Sequence, residues 1–188
     1  MALRLSQPDP RLQASYLDAL LEMRAEGDAA PFELVAPPGP GSPGLDFSGE
    51  RLADPVTFAQ FCAWTRSQER PDAARPAGWV PGTYRWMVTD DGGADELVGR
   101  ISLRHVLTPW LLEVGGHIGY AVRPSARRRG YATRALALVL PVAAGLGLAE
   151  VLVTCDEDNA GSRKVIEANG GVLEDVRGGK LRFWVPTA

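Results

Sequence analysis

The chain has 188 residues, and its 20 lysines and arginines against 23 aspartates and glutamates give a formal net charge of −3. This length favours a single domain over residues 1–188 with a core of its own. Hydrophobic residues make up 45% and charged residues 23% of the chain, which is typical of a globular protein and excludes a fibrous or wholly disordered one.

The N-terminal half predicts a strand and two helices. Residues 3–5 alternate between apolar and polar as in a short strand, and the leucines of 17–24 follow helical spacing. The proline- and glycine-rich run 37–44 predicts a loop between helices. Asp54 followed by Pro55 is typical of a helix start, so a second helix is expected there.

The C-terminal half predicts a sheet with two more helices. Residues 90–93 suit a hairpin turn, 133–147 form a helix that is apolar on nearly every side and bent at Pro141, and 159–169 form a last helix. Strand-like runs lie at 84–89, 97–106, 117–123 and 150–155, and two final strands flank 177–180. This order predicts an α+β fold with one mixed sheet.

Three features of the sequence bear on where the protein works and what it binds. They are its cysteines, its charges and its apolar runs. Cys62 and Cys155 lie far apart without metal-ligand spacing, which supports neither zinc nor a disulfide framework and favours the cytoplasm. The mild acidity, with one basic cluster at 127–129, does not favour nucleic-acid binding. The N-terminus lacks the pattern of a signal peptide, and the apolar run 135–149 is too short to span a bilayer. We therefore expect no metal, no nucleic acid and no membrane.

The basic turn between the strand at 117–123 and the apolar helix is suited to phosphate. Amides at a helix start lack partners, the helix dipole adds partial positive charge, and Gly130 lets an anion approach the backbone closely. A pyrophosphate would be held mostly by the amides of 128–133, without a Walker lysine. The alternative is a solvated basic turn in which glycine relieves strain.

This turn resembles a motif of the GNAT superfamily of acyl-CoA-dependent N-acyltransferases. Arg127-x-x-Gly130-x-Ala132 is similar to the family's phosphate-binding Gln/Arg-x-x-Gly-x-Gly/Ala pattern. Asn159, with Ser162 three residues later, is similar to the family's second cofactor segment. Neither motif is unique alone, but their order and separation make the pair specific.

The resemblance covers the motifs from about Glu96 to the C-terminus, and the N-terminal half only in element order. It implies one GNAT-like acetyltransferase domain over 1–188, with a mixed, mostly antiparallel sheet that is splayed in the middle and flanked by helices. It also implies acetyl-CoA as acyl donor, with pantetheine between the splayed strands; for Asn159, a helix N-cap is the alternative role. The implied cofactor contacts are Ala121, Val122, Arg123, Arg127, Arg128, Arg129, Gly130, Tyr131, Ala132, Thr133, Asn159 and Ser162.

Transfer to an amine requires removal of a proton, because a primary amine is mostly charged at pH 7. Alignment with the family places His117 at the position of its usual catalytic glutamate, and Glu113 is the competing base. Many members protonate the leaving thiolate with a tyrosine on the helix after the second motif, where this chain has Ile166. The acid is then Tyr120, Ser162 or solvent.

These observations support two main functions. The first is an N-acetyltransferase that moves acetyl from acetyl-CoA directly to a primary amine of a small molecule or peptide, with a homodimer left open. The second is a non-catalytic acyl-CoA-binding or sensor module, and a nucleotide-phosphate binder is a weaker third. The tryptophans Trp79, Trp86, Trp110 and Trp184 either line an acceptor pocket or belong to the core.

Overall fold

The structure is a computed structural model that describes residues 2–28, 30–39, 42, 44–90 and 93–188. Its helices are α1 (Gln13–Ala25), α2 (Gly49–Leu52), α3 (Pro55–Ser67), α4 (Tyr131–Gly145) and α5 (Ala160–Glu167). Its strands are β1 (Ala2–Ser6), β2 (Leu34–Ala36), β3 (Leu45–Phe47), β4 (Gly82–Asp90), β5 (Asp95–Arg104), β6 (Ile118–Val122), β7 (Glu150–Asp156), β8 (Val172–Arg177) and β9 (Lys180–Pro186). A π-helical turn, Leu111–Gly115, leads into β6.

The main sheet has the strand order β1-β4-β5-β6-β7-β9-β8. Every neighbouring pair in it is antiparallel except β6 and β7, which run parallel. These two strands share a single register pair, Ile118 with Val153, whereas β6 pairs with β5 from Ile118 to Val122. The predicted mixed, mostly antiparallel sheet, splayed in the middle and flanked by helices, is confirmed.

Two apolar layers hold this sheet, because side chains alternate between its faces. Ile101 and Leu103 of β5 belong to the layer that packs with α4. On the opposite face, Trp86 of β4 packs with Tyr16 of α1, and their ring centroids are 4.9 Å apart. Such an aromatic pair contributes about 1 kcal/mol beyond the burial of its area. The strands that carry the predicted site are therefore supported from both faces.

The helix α4, which is apolar on nearly every side, is buried on one side and exposed on the other. Leu138 is 41% and Val142 is 37% exposed, whereas Ala135 and Leu136 are fully buried. A sheet covers only one side of a helix, and no other element of the described chain buries this outer side. Pro141 lies inside α4, as predicted. Among the helices of the described ranges, none combines the length and apolar character that crossing a bilayer would need.

Local signals placed α3 correctly. Asp54 accepts the amide of Thr57 at 2.8 Å, and Pro55 is the first helical residue. The predicted hairpin turn 90–93 connects β4 and β5, which pair as expected, but residues 91 and 92 lie outside the described residues.

The predicted loop 37–44 lies between two short strands that sequence patterns missed. These are β2 and β3, which pair with each other in a separate two-stranded sheet. Strands of three residues are too short for an alternating pattern to be recognised. Residues 40, 41 and 43 of the loop lie outside the described residues.

Candidate active site

A gap opens between β6 and β7 beyond their single register pair. The amide of Arg123 donates to the carbonyl of Val98 on β5 at 2.9 Å. Because successive residues of a strand direct their backbone groups to opposite sides, those of Tyr120 and Val122 point away from β5 and into the gap. An exposed strand edge of this kind can bind an extended ligand that carries amide groups.

The gap leads into the turn before α4, where two residues have left-handed backbone. Arg128 has φ of +62° and Gly130 has φ of +76°. Left-handed backbone costs a non-glycine residue about 1–2 kcal/mol, so the conformation of Arg128 is maintained by the surrounding chain. Successive amides in such a turn face one concave surface, which is a common anion-binding arrangement.

The amides at the start of α4 face outward. Within the described chain, those of Ala132 and Thr133 have no backbone acceptor, as is usual for the first turn of a helix. A Cβ atom built on Gly130 would meet no atom of the described residues within 4 Å, so the space above the turn is open. The donors and the space fit a diphosphate, and with the gap they fit the extended shape of coenzyme A.

The gap and the turn belong to one cleft of about 660 Å³, called here the larger cleft. All but two of the predicted cofactor residues line it: Ala121, Val122, Arg127, Arg128, Gly130, Tyr131, Ala132, Thr133, Asn159 and Ser162. Met23, Glu26 and Asp28, at the end of α1 and just after it, also line the cleft. Sequence reasoning missed these three, because their proximity depends on how α1 packs on the sheet.

Arg123 is the first exception, since its side chain lies in the interior and its amide is bound by β5, so its predicted cofactor contact stays a prediction. It is only 7% exposed and forms ion pairs with Glu22 and with Glu96, the latter at 3.2 Å. Glu22 also accepts the amide of Ser125 at 2.9 Å, and its pKa is lowered by these bonds against the effect of burial. Arg123 therefore joins α1 to the sheet. The second exception, Arg129, is exposed and donates to the carbonyl of Ser125 at 3.3 Å.

Arg127 is held beside the gap by two contacts. Its Nε donates to the carbonyl of Val122 at 3.1 Å, and its Nη1 lies 2.7 Å from the carboxylate of Glu26. Arg128 is exposed, and no acceptor within the described chain binds its guanidinium. Arg127 thus borders the gap and is bound to other residues of the chain, whereas the guanidinium of Arg128 is available to a ligand.

The second motif lies across the gap, on α5. Asn159 caps this helix by accepting the amide of Ser162 at 2.9 Å, so the N-cap role is observed. The Ser162 hydroxyl is 2.6 Å from the Tyr120 hydroxyl, and either can donate. Burial raises the pKa of Tyr120 to about 12, so its proton is retained at neutral pH. Cys155 is also buried, and burial raises the pKa of its thiol, which disfavours a nucleophilic thiolate.

Ile166 is fully buried in the core layer of α4. The usual tyrosine position therefore offers no hydroxyl to the cleft.

The two predicted bases, His117 and Glu113, are not among the residues that line the larger cleft. His117 is 5% exposed, and its Nδ1 accepts the amide of Leu152 at 2.9 Å. Burial, together with the charge of Arg104, lowers the pKa of His117 to about 4, so the ring is neutral at pH 7 and carries its proton on Nε2. Glu113 is exposed and accepts a hydrogen bond from Arg177 of β8 at 3.0 Å. Neither geometry supports a base, and both roles stay predictions.

A second cleft of about 430 Å³, called here the smaller cleft, lies on the face of β5 opposite α4. Trp79 and Trp110 line it and are partly exposed, whereas Trp86 is only 2% exposed and belongs to the core. Trp184 is half-buried, and its ring lies 6.3 Å from that of His117. Of the four tryptophans, Trp79 and Trp110 thus line a surface cleft, and Trp86 belongs to the core.

Comparison with known proteins identifies the family. The sequence profile of the acetyltransferase (GNAT) domain matches residues 45–172. No curated protein sequence matches the chain. The structure of RimJ from Mycobacterium smegmatis in complex with CoA-disulfide has a TM-score of 0.64 and 20% identity, over 98% of this chain and 81% of that chain.

Two further solved structures show the same fold. Ribosomal-protein-S5-alanine acetyltransferase from Vibrio fischeri has a TM-score of 0.63 and 15% identity, over 98% of this chain and 92% of that chain. PaiA N-acetyltransferase from Thermoplasma acidophilum in complex with coenzyme A has a TM-score of 0.57 and 12% identity, over 99% of each chain. The domain profile covers more than half of the chain, and so this protein belongs to the GNAT family of acetyltransferases.

Proposed function

We propose that this protein transfers an acetyl group from acetyl-CoA directly to a primary amine of a small molecule or a peptide, as one domain over residues 1–188. The observation that carries the proposal is the continuity of the larger cleft. It combines a strand edge that faces the gap, a left-handed turn at a helix N-terminus, and a tyrosine of β6 bonded to α5. The buried free thiols of Cys62 and Cys155 are consistent with a reducing cytoplasm.

The larger cleft has a suitable group for each part of the donor. The amides of 128–133 hold the diphosphate, with Arg128 as an adjacent cation. The backbone groups of Tyr120 and Val122 bind the pantetheine amides as an added strand would. Acetyl-CoA supplies a thioester whose carbonyl carbon accepts the amine. Solved neighbours that contain coenzyme A support this assignment of the cleft.

Tyr120, with Ser162, is our candidate for the general acid. The amine nitrogen bonds to the acetyl carbon, the carbon–sulfur bond breaks, and the sulfur leaves as a thiolate that takes a proton. Tyr120 donates this proton, directly or through the Ser162 hydroxyl 2.6 Å away, and is reprotonated from solvent. Its raised pKa keeps the proton available throughout the neutral range.

Three routes are candidates for removal of the proton from the amine. His117 remains a candidate base, but it would first have to release the Leu152 amide from Nδ1. Glu113 remains the competing candidate for the base, and its carboxylate forms an ion pair with Arg177. A cationic environment offers another route, because nearby positive charge lowers the pKa of an ammonium group, which then gives its proton to water and becomes the neutral amine.

Thiol release from acetyl-CoA across a panel of amines tests the proposal. We expect release that depends on an added amine. If the protein binds acetyl-CoA but releases no thiol with any amine, a catalytic role is contradicted and the non-catalytic acyl-CoA-binding module is favoured. The positions of His117 and Glu113 are the observation that favours this second function.

Competition between coenzyme A and ATP in a thermal-shift assay separates both functions from a nucleotide-phosphate binder. A ligand that binds the native state raises the apparent melting temperature, and at equal concentration the tighter ligand gives the larger shift. We expect the larger shift with coenzyme A, because ATP lacks the arm that fills the gap between β6 and β7.

A further inference from the structure

The smaller cleft is positively charged. Arg100 and Arg104 of β5 line it together with Ser102 and Tyr84, and no aspartate or glutamate of the described chain is among its lining residues. The two arginines share one face of β5, because they alternate with Ile101, which packs toward α4.

Arg104 is oriented by the chain but not neutralised by it. Its Nη1 donates to the carbonyls of Gly115 and Gly116 at 3.0 and 3.1 Å. Both acceptors are uncharged, and no carboxylate of the described chain forms an ion pair with it. Burial and the nearby charge of Arg100 lower its pKa, which shows that the site holds two cations that repel each other.

The guanidinium of Arg100 has no hydrogen bond or ion pair with any described residue, and Arg100 is partly exposed. A guanidinium presents five donors in a planar fork that matches a carboxylate or a phosphate. No carboxylate of the described chain takes this place beside Arg100. Its donors are therefore available to a ligand that reaches the cleft from solvent.

This charge lies close to the gap between β6 and β7. A Cβ built on Gly119, the first residue of β6 beyond the single register pair, would lie 3.6 Å from Ser102 Oγ and 3.9 Å from Arg104 Nη1. Ser102 and Arg104, which line the smaller cleft, therefore lie beside the strand β6 that borders the gap. A ligand bound by the arginines is thus held close to the gap.

We propose that the smaller cleft selects a small amine that carries a carboxylate or a phosphate, bound by Arg100 and Arg104 while its amine points to the gap at Gly119. The proposal rests on the acetyl transfer proposed above. A cleft of about 430 Å³ is the size of a small-molecule site. Trp79 and Trp110 at its wall favour an apolar or aromatic remainder of the acceptor.

Matched acceptor pairs test this selection. We would compare kcat/KM for L-phenylalanine with L-phenylalaninamide, and for O-phosphoethanolamine with ethanolamine, at saturating acetyl-CoA. The α-amine of the amide is the weaker base and is more often neutral, so intrinsic reactivity favours the amide. We expect the anionic member to be preferred by about tenfold or more in at least one pair, since bonds between charged groups are the stronger ones. The pair that shows the preference identifies the anion.

Variants connect the preference to its residues. Arg100→Gln should lower kcat/KM for the anionic acceptor by about tenfold or more, and by much more than for the neutral acceptor, because it removes the charged bonds. Arg51→Gln, at an exposed position of α2, is the matched control. Arg104→Lys keeps a charge without the planar fork and should give a partial loss. Equal preference within both pairs, equal loss for both acceptors, or turnover of peptides alone would overturn the proposal.

Calorimetry with products separates this proposal from the acetyl transfer itself. If no amine is turned over, binding of N-acetyl-L-phenylalanine and of N-acetyl-O-phosphoethanolamine to the complex with coenzyme A still reports on the cleft. Three results together would support the anion site. Either anionic product binds, Arg100→Gln weakens this binding, and the neutral counterpart of that product does not bind. Binding that does not distinguish charge, or no binding of either product, would overturn it.

Discussion

The larger cleft, which β6 borders, and the smaller cleft, which β5 borders, are built in different ways. The larger one uses main-chain groups and comes from two short segments, 120–133 and 159–165, with the end of α1. The smaller one uses side chains from positions scattered between Leu34 and Leu111. The comparison indicates that donor binding depends on backbone geometry, which a short motif can encode, whereas acceptor choice depends on side chains brought together by the fold.

The largest effect is expected where backbone geometry matters most. Gly130→Val should abolish the thermal shift caused by coenzyme A, because φ of +76° is strained for a β-branched residue and the side chain enters the space above the amides. The matched control is Gly147→Val. Gly147 also has positive φ and open space, but it follows α4 at its far end. If both variants lose the shift equally, strain alone explains the result and the diphosphate site is wrong.

The next effect concerns stability. Arg123→Met should lower the free energy of unfolding by about 1–3 kcal/mol, because Glu22, which keeps the Ser125 amide and is partly exposed, loses its charged partner. Arg163→Met, which removes an exposed pair with Glu167, should cause no measurable change. Urea titration measures both. If Arg123→Met stays as stable as the wild type but loses affinity for acetyl-CoA, the side chain of Arg123 serves the cofactor and not the packing of α1.

A moderate kinetic effect is expected from the acid. Tyr120→Phe should lower kcat by about 100-fold without raising KM for acetyl-CoA, which is the usual contribution of a positioned proton donor. The donor must be protonated, and with a pKa of about 12 it stays so up to about pH 11. Tyr120 therefore adds no alkaline limb to a profile measured up to pH 9. Ser162→Ala should affect kcat in the same step, and the double variant should be no worse than Tyr120→Phe.

The smallest effect at pH 7 is expected from His117→Gln, because glutamine can still accept the Leu152 amide. The pKa of His117 falls from 6.5 in the unfolded chain to about 4 in the native state, so between these values the unfolded chain binds more protons. Its contribution to stability is present above pH 6.5 and is lost as the pH falls toward 4. The loss of unfolding free energy from pH 7 to pH 5 should be smaller in the variant. A drop in kcat of about 100-fold at pH 7 would instead identify a base.

The sequence predicted the local backbone around the proposed donor site well because its signals are local. The turn around Gly130 and the N-cap at Asn159 each depend on a few consecutive residues, and both have the predicted backbone form. The cap of α3 at Asp54 is of the same kind. Such features follow from conformational preference and need no knowledge of distant contacts.

The remaining features could not be predicted because they depend on tertiary contacts. Arg123 has its role only because α1 brings Glu22 to it, across 101 positions of sequence. The state of His117 depends on the amide of Leu152 and on the charge of Arg104. The cationic surface formed by Arg100 and Arg104 is likewise invisible in the sequence, because no pattern shows that neutralising carboxylates are missing.

The single pair between Ile118 and Val153 also bears on folding energetics. Hydrogen bonds between the two half-sheets are nearly confined to this point, so the halves β1-β4-β5-β6 and β7-β9-β8 are connected mainly through side-chain packing beneath them. A molecule that forms hydrogen bonds with the edges of both β6 and β7 would replace the backbone hydrogen bonds that these strands do not form with each other. Amide hydrogens of β6 and β7 should then exchange with solvent more slowly when coenzyme A is bound, which makes the donor a structural component of the sheet as well as a reactant.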